Sequence, residues 1–133
     1  QDAALFPHLS VGDNLAFGLA PRIRGRQARR AAVARALEEA GLGGMEHRDP
    51  ATLSGGQRVR AALMRSLLAE PLALLLDEPF SRLDADLRAE MRAFTFAHLQ
   101  ERAIPALMVT HDPEDAEAAG GPVVRIGEGG DRV

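Results

Sequence analysis

The stretch from Leu53 to Glu78 decides the fold of this chain. It reads Leu53-Ser54-Gly55-Gly56-Gln57, then a run with helical periodicity, then Leu72-Ala73-Leu74-Leu75-Leu76 followed by Asp77-Glu78. A glycine-containing turn that opens a helix offers backbone N–H groups and the positive end of the helix dipole, which suits a phosphate. A strand that ends in two carboxylates suits Mg²⁺ and an attacking water. The stretch therefore indicates half of a nucleotide-hydrolysing site.

The composition restricts what can accompany that half-site. All 16 basic residues of the 133 are arginines, so the lysine-bearing phosphate loop G-x-x-x-x-G-K-[ST] does not occur in the sequence. The net charge of −3 gives no overall field that favours nucleic acid or anionic lipid. Cysteine is absent, and no apolar run approaches the roughly 18 residues that span a bilayer. We expect a soluble, cytosolic protein that binds no nucleic acid.

Hydrophobic periodicity predicts alternating helices and strands. Predicted helices cover residues 11–17 behind an N-cap at Ser10, 27–40, 54–70, a long stretch capped by Asp84 or Asp86, and 114–119. Predicted strands cover residues 72–76, 106–110 and 122–126, and the first two are expected to be buried. Two buried strands that are each followed by a helix indicate an α/β fold with a parallel sheet, preceded by a helical section.

Three polar residues follow the ends of the two predicted central strands. Asp77 and Glu78 end the first strand and His111 follows the second, so the carboxyl edge of a parallel sheet brings them together. Asp77 would hold Mg²⁺, because Mg²⁺ keeps several waters and takes few protein carboxylates. Glu78 would orient or deprotonate the water that attacks a γ-phosphate, and His111 would donate a hydrogen bond to that phosphate.

Each of these features has an ordinary structural interpretation when it is taken alone. Asp77-Glu78-Pro79 can be a strand that runs into a turn, His111 can be a partly buried histidine, and Ser54-Gly55-Gly56 can be a loop. Their appearance together in a fixed order favours the functional interpretation.

That combination resembles the ATP-binding subunit of an ABC transporter, and the resemblance covers nearly the whole chain. Residues 53–57 match the family's signature motif, and residues 74–78 are similar to its Walker B strand with the catalytic glutamate. Residues 81–84 resemble the D-loop, and His111 resembles the switch histidine. Gln1 and residues 5–19 are similar to the Q-loop and the start of the helical subdomain.

The resemblance implies a partial P-loop NTPase fold, that is, a parallel sheet flanked by helices plus an α-helical subdomain. Residues 1–70 would form the Q-loop and helical subdomain, and residues 71–133 the C-terminal part of the ATPase core. The nucleotide-binding half that precedes the Q-loop in the family has no counterpart in this sequence. We therefore expect a fragment that lacks its main ATP cradle and that binds no measurable ATP by itself.

The resemblance also implies cofactors and partners. ATP and Mg²⁺ would be bound, with Glu78 and His111 as catalytic residues and Asp77 and Gln1 at the metal. In the family two subunits pair head to tail, so the signature residues Ser54, Gly55, Gly56 and Gln57 would contact ATP held by the second ABC ATPase subunit. Asp84 would lie at the seam between the subunits. Gln1 would couple the site to a transmembrane permease subunit, which places the protein peripherally on the cytoplasmic face of the cell membrane.

The sequence leaves two classes of function open. The first is a bacterial importer subunit for small solutes such as thiamine, iron, sulfate, molybdate or polyamines, which residues 5–11 and 77–81 resemble most. The second is a noncatalytic truncated ABC module or a translation-associated ABC ATPase. The negative charge and the importer-like first nineteen residues count against the ribosomal version.

Six arginines lie between Asn14 and Leu37 with no acidic residue among them. They are Arg22, Arg24, Arg26, Arg29, Arg30 and Arg35. They could face lipid headgroups or an acidic loop of the membrane subunit. A solvated helix face is the interpretation that we favour.

Overall fold

The computed structural model describes residues 5–127 of the 133-residue chain. The elements in this part of the chain are, in order, α1 (Val11–Phe17), α2 (Arg26–Glu39), a 3-10 turn (Pro50–Thr52), α3 (Gly55–Leu68), β1 (Leu74–Asp77), α4 (Ala85–Glu101), β2 (Ala106–Val109) and α5 (Pro113–Ala119). Helices α1, α2 and α3 precede a β1–α4–β2 unit. This arrangement confirms the predicted α/β fold with a helical section in front.

Helix α1 is held by polar contacts at its beginning. Ser10 is its N-cap and accepts a hydrogen bond from the backbone N–H of Asp13, as predicted. The fully buried Asn14 accepts from the N–H of Phe6 at 2.7 Å and donates to the carbonyls of Phe6, Leu9 and Ser10. The Asn14 side chain therefore provides hydrogen-bond partners for main-chain groups of the loop that leads into α1.

Helices α2 and α3 enclose the core with α1. Val33 and Leu37 of α2 and Met64 and Leu67 of α3 are buried in one apolar cluster that also contains Leu15. Helix α2 starts after Gly25, which has φ of +89°, and Gly41 after its end has φ of +69°. Glycine adopts such angles without steric cost, so it delimits the helix at both ends.

Strands β1 and β2 pair in parallel, with α4 as the connection between them. The register runs from Leu74 opposite Ala106 to Asp77 opposite Val109. The carboxylate of Asp84 caps α4 by accepting from the N–H of Leu87 at 2.9 Å. The register places the carboxyl ends of both strands at one edge, as the sequence predicts.

The prediction that both strands are buried is wrong for the residues that the structure describes. Strand β1 alternates half-buried and exposed residues, and Leu75 is 69% exposed. In β2, Leu107 and Val109 are 67% and 50% exposed. The described helices leave one face of this two-stranded sheet uncovered. Apolar runs predict a strand that is capable of burial on both faces, but they do not show what covers each face.

The predicted third strand, residues 122–126, is also not observed. Residues 122–127 have no regular secondary structure, and Val124 and Ile126 are 85% and 94% exposed. A strand forms only where a neighbouring strand accepts its backbone hydrogen bonds. None of the described residues provides such a neighbour for this segment. Strand β1 likewise starts at Leu74 rather than at Leu72, which is 94% exposed.

Two of the six clustered arginines form hydrogen bonds with other residues of the chain. Arg22 donates through Nε to Glu70 at 2.5 Å, and Arg29 donates to the carbonyls of Ala16 and Ile23 at 3.0 and 3.2 Å. Arg24, Arg26, Arg30 and Arg35 are exposed. This distribution fits the favoured solvated face. The division of the chain at residue 70 stays a prediction.

Replacing Asn14 with Ala should destabilise the protein. The substitution leaves the part-buried N–H of Phe6 and the loop carbonyls without their partner, so the free energy of unfolding of the complete gene product should fall by about 2 to 4 kcal/mol. Equilibrium urea unfolding measures the change. Asp13→Ala, at an exposed position in the same helix, is the control and should cost less than about 1 kcal/mol. Equal losses in the two variants would contradict the role of Asn14.

Candidate functional site

Glu78 lies immediately after β1 at the carboxyl edge of the sheet. Its backbone N–H donates to the carbonyl of Val109 at 2.8 Å, which continues the strand pairing by one residue. Its φ is +45°, a left-handed conformation that a non-glycine residue rarely adopts. Strained backbone of this kind concentrates at functional sites. The chain turns there, and the Glu78 side chain points along the sheet edge toward the end of β2.

The Glu78 carboxylate meets the imidazole of His111. Nδ1 of His111 donates to Oε1 of Glu78 at 2.8 Å, although 33 residues separate the two in sequence. The His111 side chain is 79% exposed and that of Glu78 is 26% exposed. The predicted meeting of these residues at one sheet edge therefore takes the form of a direct contact that solvent can reach.

This contact favours the protonated form of His111. The hydrogen bond to Glu78, together with the negative charge of Glu78, raises the pKa of His111 above its ordinary value. With the Nδ1 proton directed at the carboxylate, neutral imidazole has only an acceptor at Nε2, whereas imidazolium has an N–H donor there. Glu78 thus favours the protonated form of His111, which can donate a hydrogen bond outward. That capacity is lost as the pH rises through the raised pKa.

Asp77 is the last residue of β1, directly before Glu78. It is exposed, and it lies opposite Val109 in the strand pairing. Within residues 5–127, no group of three or more histidine, cysteine, aspartate or glutamate side chains is arranged to hold a metal ion. One or two carboxylates suit Mg²⁺, which retains most of its waters, and they do not suit a metal that needs an all-protein cage. The donor set at this edge fits Mg²⁺ in that respect.

The Ser54 to Gln57 segment forms the N-terminus of α3 with a capping box. Oγ of Ser54 accepts from the N–H of Gln57 at 3.2 Å, and Oε1 of Gln57 accepts from the N–H of Ser54 at 2.9 Å. The Ser54 hydroxyl still has its own proton to donate, because only an acceptor position is used. Ser54 and Gly55 are exposed. This terminus therefore presents donors and a helix dipole that favour an anion.

Gly56 fits against the first turn of α4. A Cβ atom added to Gly56 would lie 2.7 Å from Cδ1 of Leu87, a distance that real side chains do not tolerate. A larger residue at this position would require the Leu87 side chain to shift. The close approach places the beginning of α3 beside the beginning of α4, where Asp84 is the exposed N-cap. One carboxylate oxygen of Asp84 is engaged in that cap.

The structure thus brings the predicted site residues together in two groups. Glu78 and His111 are in contact at the sheet edge, with Asp77 next to Glu78 at the end of β1. Residues 54–57 lie near Asp84, where α3 and α4 begin. Gln1, the predicted coupling and metal-binding glutamine, lies outside the described residues.

Sequence reasoning missed a network of charges behind His111. The buried guanidinium of Arg92, on α4, pairs with the buried carboxylate of Asp115 through Nε, and Oγ1 of Thr110 donates to the other oxygen of that carboxylate at 3.0 Å. The N–H of Glu114 and the guanidinium of Arg88 lower the pKa of Asp112. The network therefore holds both neighbours of His111.

A signal for the network is present in the sequence. Arg88 and Arg92 are four residues apart, so they share one face of α4, and an acidic cluster at residues 112–115 follows His111. Their contact depends on how α4 packs against α5, which the residue pattern does not specify.

The chain belongs to the ABC transporter family, whose profile matches residues 1–81. A related uncharacterized ABC transporter ATP-binding protein from Escherichia coli K12, YnjD, is 57% identical over 118 residues, which cover 89% of this chain and 54% of the relative. The thiamine import ATP-binding protein ThiQ of Cereibacter sphaeroides is 46% identical over 129 residues, which cover 97% of this chain and 56% of that relative. The chain thus spans about half the length of the relatives it matches.

A solved structure supports the same fold. A dimeric ATP-binding cassette in a post-hydrolysis state, bound to ADP and Pi, superposes with a TM-score of 0.72 at 27% sequence identity. The superposition covers 89% of this chain and 53% of that one. The fold is therefore part of an ABC ATPase fold, as the sequence motifs predict.

Within residues 5–127, no helix is long and apolar enough to cross a membrane.

The pKa of His111 should depend on Glu78. In the Glu78→Gln variant the pKa should fall toward the ordinary histidine value, because the neutral amide no longer stabilises the imidazolium. Titration of the His111 ring by NMR measures the change. Glu90→Gln is the matched control, since Glu90 pairs with Arg60 rather than with His111. An unchanged His111 pKa in Glu78→Gln would contradict the contact.

Proposed function

We propose that the complete gene product is the ATP-hydrolysing subunit of an ABC transporter that powers import of a small solute. The observation that carries the proposal is the direct contact between Glu78 and His111 at the carboxyl edge of a parallel sheet. This is where open α/β sheets bind ligands. Membership of the ABC transporter family supplies the reaction class.

In this proposal Glu78 and His111 have separate roles. Glu78 orients the attacking water or accepts its proton, because its carboxylate lies at the sheet edge within reach of solvent. His111 donates from Nε2 to the γ-phosphate, and the proton it needs there is favoured by Glu78. Phosphoryl transfer requires mainly positioning and charge stabilisation, which these two side chains supply.

The proposal assigns Mg²⁺ to Asp77 and Gln1. When bound, Mg²⁺ neutralises part of the phosphate charge. The exposed Asp77 carboxylate at the end of β1 supports this assignment. The assignment of Gln1 rests on the resemblance alone.

The proposal assigns Ser54, Gly55, Gly56 and Gln57 to ATP held by a second ABC ATPase subunit. The exposed beginning of α3, with the hydroxyl proton of Ser54 and the positive end of the helix dipole, is suited to a phosphate that arrives from outside the chain. Asp84, beside this terminus, would lie at the seam of the head-to-tail pair. The related solved cassette is itself a dimer.

A transmembrane permease subunit completes the proposed assembly on the cytoplasmic face of the cell membrane. Relatives are named as import proteins for thiamine, for Fe³⁺ ions and for sulfate or thiosulfate. The named solutes differ although the sequences align over nearly the whole chain. The proposal therefore extends to small-solute import and does not select the solute.

Glu78→Gln in the complete gene product should retain ATP binding and lose turnover. Removal of a general base lowers rates on the order of 10²- to 10⁴-fold, so kcat should fall by that factor while bound ATP persists. Phosphate release and retained radiolabelled nucleotide measure the two quantities. Glu90→Gln should hydrolyse at the wild-type rate. Turnover by Glu78→Gln near the wild-type rate would remove Glu78 from its role.

Action of Ser54 across the subunit seam can be tested with mixed dimers carrying Ser54→Arg and Glu78→Gln. If Ser54 acts on ATP held by the partner, each ATP site combines Glu78 of one subunit with Ser54 of the other. Substitutions on different subunits then both affect the same site, and the other site stays intact. When both lie on one subunit, each site loses one component. We expect about half of wild-type ATPase activity in the first dimer and a loss on the order of 10²-fold in the second. The reverse order would show that Ser54 acts on its own subunit's nucleotide.

A further inference from the structure

The Arg88 guanidinium joins two segments that border the candidate site. Nε donates to the carbonyl of Phe80 at 3.2 Å, and Nη2 donates to the carbonyls of Leu83 at 3.2 Å and Ser81 at 3.5 Å. Nη1 donates to Oδ2 of Asp112 at 2.6 Å. One side chain of α4 therefore bonds both the turn after Glu78 and the residue after His111.

The turn that Arg88 holds connects Glu78 to Asp84. It is closed by Ser81, whose N–H and Oγ both donate to the carbonyl of Glu78, at 3.4 and 3.1 Å. Phe80 within it is 1% exposed and packs edge-on against Phe96 of α4. A displacement of this turn is therefore transmitted to the Glu78 backbone through Ser81 and to α4 through Phe80.

The His111 side of the contact is held equally firmly. Oδ1 of Asp112 caps α5 by accepting from the N–H of Glu114 at 2.9 Å, and the N–H of Asp112 donates to Oγ1 of Thr110 at 3.1 Å. Arg92 approaches Oδ2 of Asp112 at 3.5 Å and binds Glu114 at 3.0 Å. Arg92 thus holds α5 against α4. Arg88 also contacts α5 through Asp112, and in addition it binds the turn.

The geometry suits arginine and no other basic residue. The planar fork of a guanidinium can donate in several fixed directions at once, whereas a lysine ammonium is a point charge on a flexible stem. The Arg88 and Asp112 side chains are only 25% and 18% exposed, so the contact is not a fully solvated surface ion pair of negligible strength. Within residues 5–127 the Arg88 hydrogen bonds go to the turn and to Asp112. The positive charge of Arg88 also acts on His111, where it lowers the pKa of the imidazole against the larger raising effect of Glu78.

We propose that Arg88 is a positioning residue that makes the turn at residues 80–84 and the His111 segment move as one unit. The distance between Glu78 and His111 then depends on the same turn that carries Asp84. If a second subunit contacts Asp84 and displaces the turn, the Arg88 guanidinium would change the position of His111 as well. The inference rests on the proposed ATPase function of this site.

The test uses the complete gene product assembled with its membrane subunits. Arg88→Gln should lower kcat for ATP on the order of 10- to 100-fold, because small misplacements of catalytic groups have effects of this size. The KM for ATP should stay within about twofold, since Arg88 is not expected to touch the nucleotide. Arg88→Lys keeps the charge but not the fork, so it should show the same loss of kcat in a protein that folds.

Arg102→Gln is the matched control. Arg102 lies just after the last residue of α4, pairs with Glu39 at 2.5 Å and has a side-chain exposure of 29%, close to that of Arg88. Its substitution removes an arginine ion pair without touching the turn or the His111 segment. We expect Arg102→Gln to keep kcat within about twofold of wild type. Thermal unfolding of all variants shows which losses of kcat accompany a loss of folded protein.

A double-mutant cycle tests the proposed linkage directly. Asp112→Asn keeps an effective cap for α5 but weakens the bond from Arg88. If Arg88 acts through Asp112, the two substitutions together should lower kcat by about as much as Arg88→Gln alone. Fold-losses that multiply would show independent action and would overturn the positioning role.

The remaining outcomes separate this role from the proposed function. If the wild-type assembly hydrolyses ATP and Glu78→Gln does not, but both Arg88 variants match Arg102→Gln in kcat, only the positioning role is wrong. A fall in kcat of equal size in Arg88→Lys and Arg102→Gln would likewise overturn it, because the loss would be general. If the wild-type assembly hydrolyses no ATP, the proposed function is wrong and the positioning role falls with it.

Discussion

Parallel pairing of β1 with β2, from Leu74 opposite Ala106 to Asp77 opposite Val109, fixes the relative position of the residues that follow each strand. A shift of one residue in this register would turn every side chain of one strand to the other face of the sheet. The bond from the Glu78 N–H to the Val109 carbonyl extends the register into the site. The hydrogen bond between Glu78 and His111, and the protonation of His111 that it favours, depend on that alignment.

Local signals made much of this structure predictable from sequence. Ser10 caps α1 as predicted, and Asp84, one of the two candidates that the sequence offers, caps α4, because a cap depends only on residues within one turn. The meeting of Glu78 with His111 was also predictable, since parallel strands share a carboxyl edge. These inferences need residue types and strand direction alone.

Contacts between distant segments were not predictable in the same way. The bond from Arg88 to Asp112 spans 24 residues and depends on the rotation of α4 and on its packing against α5. Sequence periodicity shows that α4 has a face, but it does not show which charged groups lie opposite. The exposed face of the sheet and the irregular segment at residues 122–127 were missed because burial and strand pairing depend on neighbouring elements.

All basic residues of this sequence are arginines, and several of them stabilise loops. Among the described residues, four arginines donate to main-chain carbonyls: Arg29 to Ala16 and Ile23, Arg48 to Thr52, Arg58 to Leu53, and Arg88 to the turn after Glu78. These bonds use the fixed directions of the guanidinium, which an ammonium group does not reproduce. Arginine in this chain therefore shapes loops as well as carrying charge.

The capping box at the start of α3 bears on the kinetics of the anion binding proposed for this terminus. Ser54 and Gln57 fix each other's side chains and backbone before any other molecule arrives. An anion that docks at this terminus meets donors that are already in place, so little conformational entropy is lost in the encounter. Capture at such a rigid surface is governed by diffusion and orientation of the incoming group rather than by rearrangement of the receiving one.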